Sequence, residues 1–103
     1  MIKVSVLYPQ GPSTRFDAEY YLGKHVPMVK GVLGPALKGV SVELGLAGGD
    51  PGSSPTYVAM GHLLFDSVEA FQAAFGPHAE KVMADIPNYT NVKPTLQLSE
   101  VRL

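Results

Sequence analysis

The chain has 103 residues and a formal net charge of -1, with 46% hydrophobic residues, 17% charged residues and no cysteine. That length supports one domain over residues 1–103, and the composition is that of a folded protein with a single core. The eight Lys and Arg are scattered rather than clustered, which argues against a nucleic-acid partner. The absence of Cys excludes a disulfide framework, a thiolate metal site and a Cys nucleophile.

Residues 2–8, IKVSVLY, put Ile2, Val4, Val6 and Tyr8 on one side and Lys3, Ser5 and Leu7 on the other, the period of a half-buried strand. Pro9 and Gly11-Pro12 stop it. The stretch is too short for a signal-peptide core and no later run approaches a membrane span, so no membrane partner is expected and the cytoplasm is the default location. From Thr14 the pattern becomes helical, with Thr14 and Asp17 spaced as a capping pair ahead of Tyr20, Tyr21 and Lys24. Pro27 predicts a kink or break beside His25, after which MVKGVLG carries a short helix to Gly34-Pro35.

Residues 37–47 alternate again, with Val40, Val42, Leu44 and Leu46 opposite Ser41, Glu43 and Gly45. The turn-forming stretch GGDPGSSP (48–55) joins them to a β-rich run from Tyr57 to Phe65, which makes a hairpin. Asp66 and Glu69 have capping-box spacing, and Phe71, Ala74, Phe75, Ala79, Val82, Met83 and Ile86 then recur at helical spacing. Gly76-Pro77 interrupts that helix. A last strand follows over residues 94–102.

The order strand, helix, strand, strand, helix, strand is the α+β, ferredoxin-like β-α-β-β-α-β arrangement, a four-stranded antiparallel sheet with both helices on one face. The other face is expected to carry Leu7, Ala59, Gly61, Leu63 and Val101 beside Ser5, Thr95, Gln97 and Ser99. A mixed apolar face of this kind calls for a second copy, hence a homodimer with two sheets stacked face to face.

Three constellations can carry chemistry. Asp17, Tyr21 and His25 fall at i, i+4 and i+8 on one stripe of the first helix, either as a proton relay or as a helix cap, a packed ring and a carbonyl partner. His78 continues the apolar stripe of Phe71, Phe75 and Val82 toward the space between helix and sheet, either as an acid–base group or as a core histidine. His62 shares a side of its strand with Val58, Met60 and Leu64, so it points either at the same pocket or at a partner sheet. The three His show no metal-ligand spacing, so no metal is expected. No G-x-G-x-x-G follows a strand and no G-x-S-x-G is present, so neither a nucleotide cofactor nor an acyl-enzyme has a visible anchor.

MIKVSVLYP, RFDAEYYLGKHVPMV, the Phe65-Asp66-Ser67 turn and ADIPNYTNVKPTLQLSEV are similar to the EthD family over nearly the whole chain. The most specific parts are D-x-x-Y-Y-x-x-x-H-x-P at Asp17, Tyr20, Tyr21, His25 and Pro27, and DIPNYTN at 85–91. The resemblance implies a dimeric α/β barrel. It also implies a link to bacterial breakdown of ethyl tert-butyl ether, in an accessory role to an oxygenase. Fungal members resemble polyketide decarboxylases or dehydratases, and the wider barrel group adds cofactorless monooxygenases, isomerases, polyketide cyclases and haem proteins, among which fold alone does not choose. His78, in G-P-H-A, is similar in position to the catalytic histidine of those cyclases.

The expected function is therefore a homodimer holding a small, largely apolar organic molecule between helices and sheet, walled by Tyr8, Tyr21, Phe65, Phe75 and Tyr89, with Asp17 and His62 as further contacts. The expected chemistry is cofactor-independent proton transfer, such as decarboxylation, dehydration or isomerisation, with His25 and His78 as acid and base. The alternative is a binding or accessory protein without turnover.

Overall fold

The strands are β1 (Ile2–Pro9), β2 (Gly39–Leu44), β3 (Tyr57–Phe65) and β4 (Thr95–Glu100). In the computed structural model, which covers residues 1–103, they form one sheet in the order β2-β3-β1-β4 with every neighbouring pair antiparallel. The first crossover carries α1 (Ala18–Tyr20), a π-helical turn (Tyr21–His25) and α2 (Val26–Leu33). The second carries α3 (Val68–Phe75) and α4 (Ala79–Asp85) around a 3-10 turn at Gly76–His78. Both crossovers pack on one face, where Val29, Leu33 and Val82 meet Val4 and Phe65 in the main core. This is the expected ferredoxin-like α+β arrangement.

Register corrects the expected faces. Val4 pairs with Leu63, Val6 with Gly61 and Tyr8 with Ala59, and residues opposite each other in a ladder share a face. Ala59, Gly61 and Leu63 therefore lie on the helix side with the core. The open side carries Lys3, Ser5 and Leu7 with their partners Leu64, His62 and Met60, and Thr95, Gln97 and Ser99 of β4. Val101 lies beyond the end of β4. Both sides of β3 are apolar, so alternation alone does not reveal which side meets the helices.

The helix ends also differ from expectation for local reasons. Asp17 alone caps α1, its side chain accepting from the Tyr20 amide, while the Thr14 hydroxyl donates to the Pro9 carbonyl. Ser67, not Asp66, caps α3 by accepting from the Ala70 amide; Asp66 sits 3.9 Å from the exposed Lys38. Pro27 does not break its helix. It lacks an amide for the Gly23 carbonyl and its ring would press on that group, and the chain relieves this by widening one turn, so that the Val26 amide reaches back five residues to the Tyr21 carbonyl.

The molecule measures 41 × 33 × 19 Å, and its thinnest dimension is one sheet plus one layer of helices at about 10 Å each. Its accessible surface of 6357 Å² exceeds the roughly 5,600 Å² expected of a monomer of 11.0 kDa. Leu96 and Leu98 belong to the helix side yet stay 42% and 41% exposed, because β4 lies at the sheet edge beyond the main helix cover. No helix is long and apolar enough to cross a membrane.

Candidate functional site

The widened turn after α1 decides where the first histidine goes. It turns Tyr21 and His25 inward together, and their rings stack at 5.6 Å with planes 16° apart. His25 is buried, 5% exposed, and both ring nitrogens are engaged by side chains. Nδ1 lies 2.9 Å from an Asp85 carboxylate oxygen, and Nε2 lies 3.3 Å from the Tyr89 hydroxyl. A carboxylate only accepts, so Nδ1 carries the proton in the neutral ring and Nε2 accepts from Tyr89. The Tyr89 hydroxyl in turn stands 2.7 Å from that of Tyr8.

Asp85 is the last residue of α4, where the helix dipole disfavours a carboxylate. Three donors offset this: the Tyr20 hydroxyl at 2.7 Å, the Asn88 amide at 2.9 Å and the His25 imidazole. Burial by itself raises the Asp85 carboxyl, but these hydrogen bonds outweigh it and hold the group below its ordinary range. Burial dominates at the other end of the chain. It pushes the Tyr8, Tyr21 and Tyr89 phenols well above their ordinary value, with the Tyr89 partner adding to the rise at Tyr8 and the Tyr8 partner to that at Tyr21.

Beside this chain lies a cavity of about 60 Å³ between sheet and helices. Val4, Val6 and Tyr8 of β1, Val40 and Val42 of β2, and Gly61 and Leu63 of β3 form its floor; Tyr21, His25, Val26, Val29, Phe71, Phe75, Val82 and Ile86 form its roof. Gly61 is needed there, because a Cβ at that position would come within 2.5 Å of the Tyr21 hydroxyl.

The structure brings together Tyr8, Tyr21, His25 and Phe75 at the cavity, and Tyr89 one hydrogen bond behind it. Phe65 is fully enclosed in the main core. Asp17 faces a separate surface cleft formed with Arg15 and residues 87–91. His62 borders the cavity, while its ring turns to the open side of the sheet, with Nδ1 2.9 Å from the Ser5 hydroxyl and Nε2 2.9 Å from Glu43. His78 sits in the 3-10 turn and is not among the residues lining the cavity. Asp85 and Tyr20 complete the array without having been singled out as site residues in the sequence. The available signal was an acid at a helix C-terminus inside the DIPNYTN segment. No group of three or more His, Asp or Glu side chains is placed to hold a metal ion.

Comparison with known proteins bears on the family and the fold. The chain is 31% identical over 103 residues to an uncharacterized 11.0 kDa protein in the thcB-thcC intergenic region of Rhodococcus erythropolis, covering 97% of this chain and 94% of that one. The crystal structure of an EthD-like protein from Ralstonia eutropha JMP134 superposes with a TM-score of 0.95 at 47% identity, over 99% of this chain and 92% of the other. That of an ethyl tert-butyl ether (EthD) family protein from Bacillus halodurans C-125 gives 0.69 at 22% identity over 99% of both chains, a likeness of fold. With residues 10–93 matching the EthD domain model, the chain belongs to the EthD family.

Proposed function

We propose that this protein binds a small, largely apolar organic molecule in the cavity between helices and sheet and moves a proton on it without a cofactor, as a lyase or isomerase carrying out decarboxylation, dehydration or a related step. The observation that carries this reading is the buried hydrogen-bonded chain Asp85–His25–Tyr89–Tyr8, whose His25 and Tyr8 line a largely apolar cavity. A carboxylate that fixes one ring nitrogen leaves the other as a proton acceptor, and an apolar wall keeps water from competing for it. His25 is the acid–base group in this reading; His78 is not among the residues lining the cavity and takes no part in it.

The lining also favours a second reading, since 15 of its 21 residues are hydrophobic and such a wall suits retention of an apolar molecule without turnover. The protein would then be a carrier or accessory component, as in oxygenase-dependent ether breakdown. Deuterium exchange separates the two. Small enolisable aryl ketones incubated with the protein in D2O should exchange their acidic C–H above the buffer rate, and His25→Gln should abolish the excess. Binding without exchange supports the accessory reading, and absence of binding overturns both.

The active form in this proposal is a homodimer closed by the open sheet face. Its support is the two-layer thickness, the excess surface, and the row of Leu7, Met60 and Leu64 on a face that no helix covers.

A further inference from the structure

The hydrogen-bonded chain ends at Tyr8, and the aromatic cluster around it goes on to Tyr21. The Tyr21 ring meets that of Tyr8 edge-on, 5.6 Å between centroids, and its hydroxyl rests over Gly61, the one place on β3 where the missing Cβ leaves room for it. No hydrogen bond of ordinary geometry satisfies this hydroxyl, yet no polar side-chain atom sealed inside the protein lacks a partner. The Tyr21 oxygen is therefore open to the cavity that the residue lines. The donor directions are set from the far end: Asp85 accepts from His25, whose Nε2 accepts from Tyr89, whose oxygen accepts from Tyr8. The next donor in this sequence is Tyr21, which leaves its own oxygen as an acceptor facing the cavity.

We propose that the Tyr21 phenol, rather than the imidazole, is the group that meets the ligand, and that the ligand carries a hydroxyl of the phenol or enol kind on an otherwise apolar frame. The inference rests on reading the cavity as a ligand site. The proton shift balances as follows. The ligand O–H proton passes to Tyr21 as the Tyr21 proton passes to Tyr8, that of Tyr8 to Tyr89, and that of Tyr89 to Nε2 of His25. The products are a ligand oxyanion and an imidazolium held against the Asp85 carboxylate. Each phenol regains the proton it gives up, so none stands as a phenolate. This suits three buried hydroxyls whose ionisation burial opposes. The open contact between Tyr21 and Tyr8 tightens when the ligand is seated, as hydrogen bonds of unliganded sites commonly do.

Two probes with one frame test the assignment, 4-nitrophenol and 4-nitrotoluene, which differ by hydroxyl against methyl. Affinities are measured for the wild type, Tyr21→Phe and Gly61→Ala. Tyr21→Phe deletes only the oxygen, and the ratio of the two dissociation constants should move against the phenol by about 5- to 10-fold, the worth of one neutral hydrogen bond. Gly61→Ala displaces the same hydroxyl from the sheet side and should move the ratio in the same direction, which decides the matter if the Phe variant fails to fold. Bound 4-nitrophenol should show the nitrophenolate absorption in the wild type and lose it in both variants. Probes that bind with an unchanged ratio and an unchanged spectrum in the variants overturn the role of Tyr21 and leave the cavity as a ligand site. Failure of both probes to bind the wild type overturns the ligand-site reading itself.

Discussion

His25 and Asp85, on different crossovers of the fold, are joined by a contact of 2.9 Å between Nδ1 and a carboxylate oxygen. The contact ties the end of the widened helical turn to the end of α4, so a single charge serves both the site and the fold. The Asp85 carboxyl is held below its ordinary value of 3.8. A group whose folded-state pKa is depressed contributes stability above its unfolded value, and loses it as pH falls through the folded value. Thermal stability should therefore drop as pH is lowered below about 4, and Asp85→Asn should flatten that dependence while lowering stability at neutral pH. Melting curves of both proteins across pH 2 to 7 check this; parallel curves would show that Asp85 is not the group responsible.

The tyrosines set the opposite limit. Burial raises Tyr8, Tyr21 and Tyr89 above the ordinary value of 10.0. For such groups stability is complete below the unfolded pKa and is lost as pH rises toward the folded one. Alkaline unfolding should begin above about pH 10, and these phenols should ionise together with it rather than before it. Ultraviolet titration alongside circular dichroism tests the coupling. Smooth ionisation of all five tyrosines ahead of unfolding would contradict it.

Much of the fold was legible because periodicity reports local geometry. Alternation in β1 and β2, the turn residues of 48–55 and the stripe through Phe71, Phe75 and Val82 each required one answer. The face of β3 was not legible, since Val58, Met60 and Leu64 are as apolar as Ala59, Gly61 and Leu63, and only pairing with β1 distinguishes them. The site was half legible for a related reason. Tyr21 and His25 share a helical stripe, but their partner Asp85 lies 60 residues away and reaches them only through tertiary packing. Pro27 predicts a kink or break and produces a π turn, because α2 packs against the core through Val29 and Leu33 and keeps the helix continuous.

The corrected faces also place the test of dimerisation at Met60 and Leu64. Wild-type protein should scatter light as twice the chain mass at micromolar concentration, and Met60→Asp or Leu64→Asp should yield a folded monomer. Leu63→Asp serves as the contrast, because Leu63 packs against the core on the helix side and a charge there should cost several kcal/mol and unfold the chain. A wild type that is monomeric throughout, or a Met60→Asp variant that remains dimeric, would remove the open sheet face from the assembly.

The role of His25 is separated from its structural contribution by replacement with Gln. A Gln amide can donate to Asp85 and its carbonyl can accept from Tyr89, so both hydrogen bonds have a chemical substitute and no buried donor or acceptor is stranded. What disappears is the titrating ring, together with its stacking on Tyr21 and its 4.6 Å contact with Tyr89. Lost aromatic contacts of this kind cost about 1 to 2 kcal/mol, well within what a folded domain tolerates. Loss of a general acid or base lowers turnover by roughly 10² or more. The two effects therefore separate in one variant: a modest drop in melting temperature, near-unchanged affinity for a bound ligand, and a proton-exchange rate reduced by about two orders of magnitude. Affinity, exchange and stability falling in proportion would mean that His25 only holds the turn in shape. Full exchange in a stable Gln variant would mean that the proton reaches the ligand by another route.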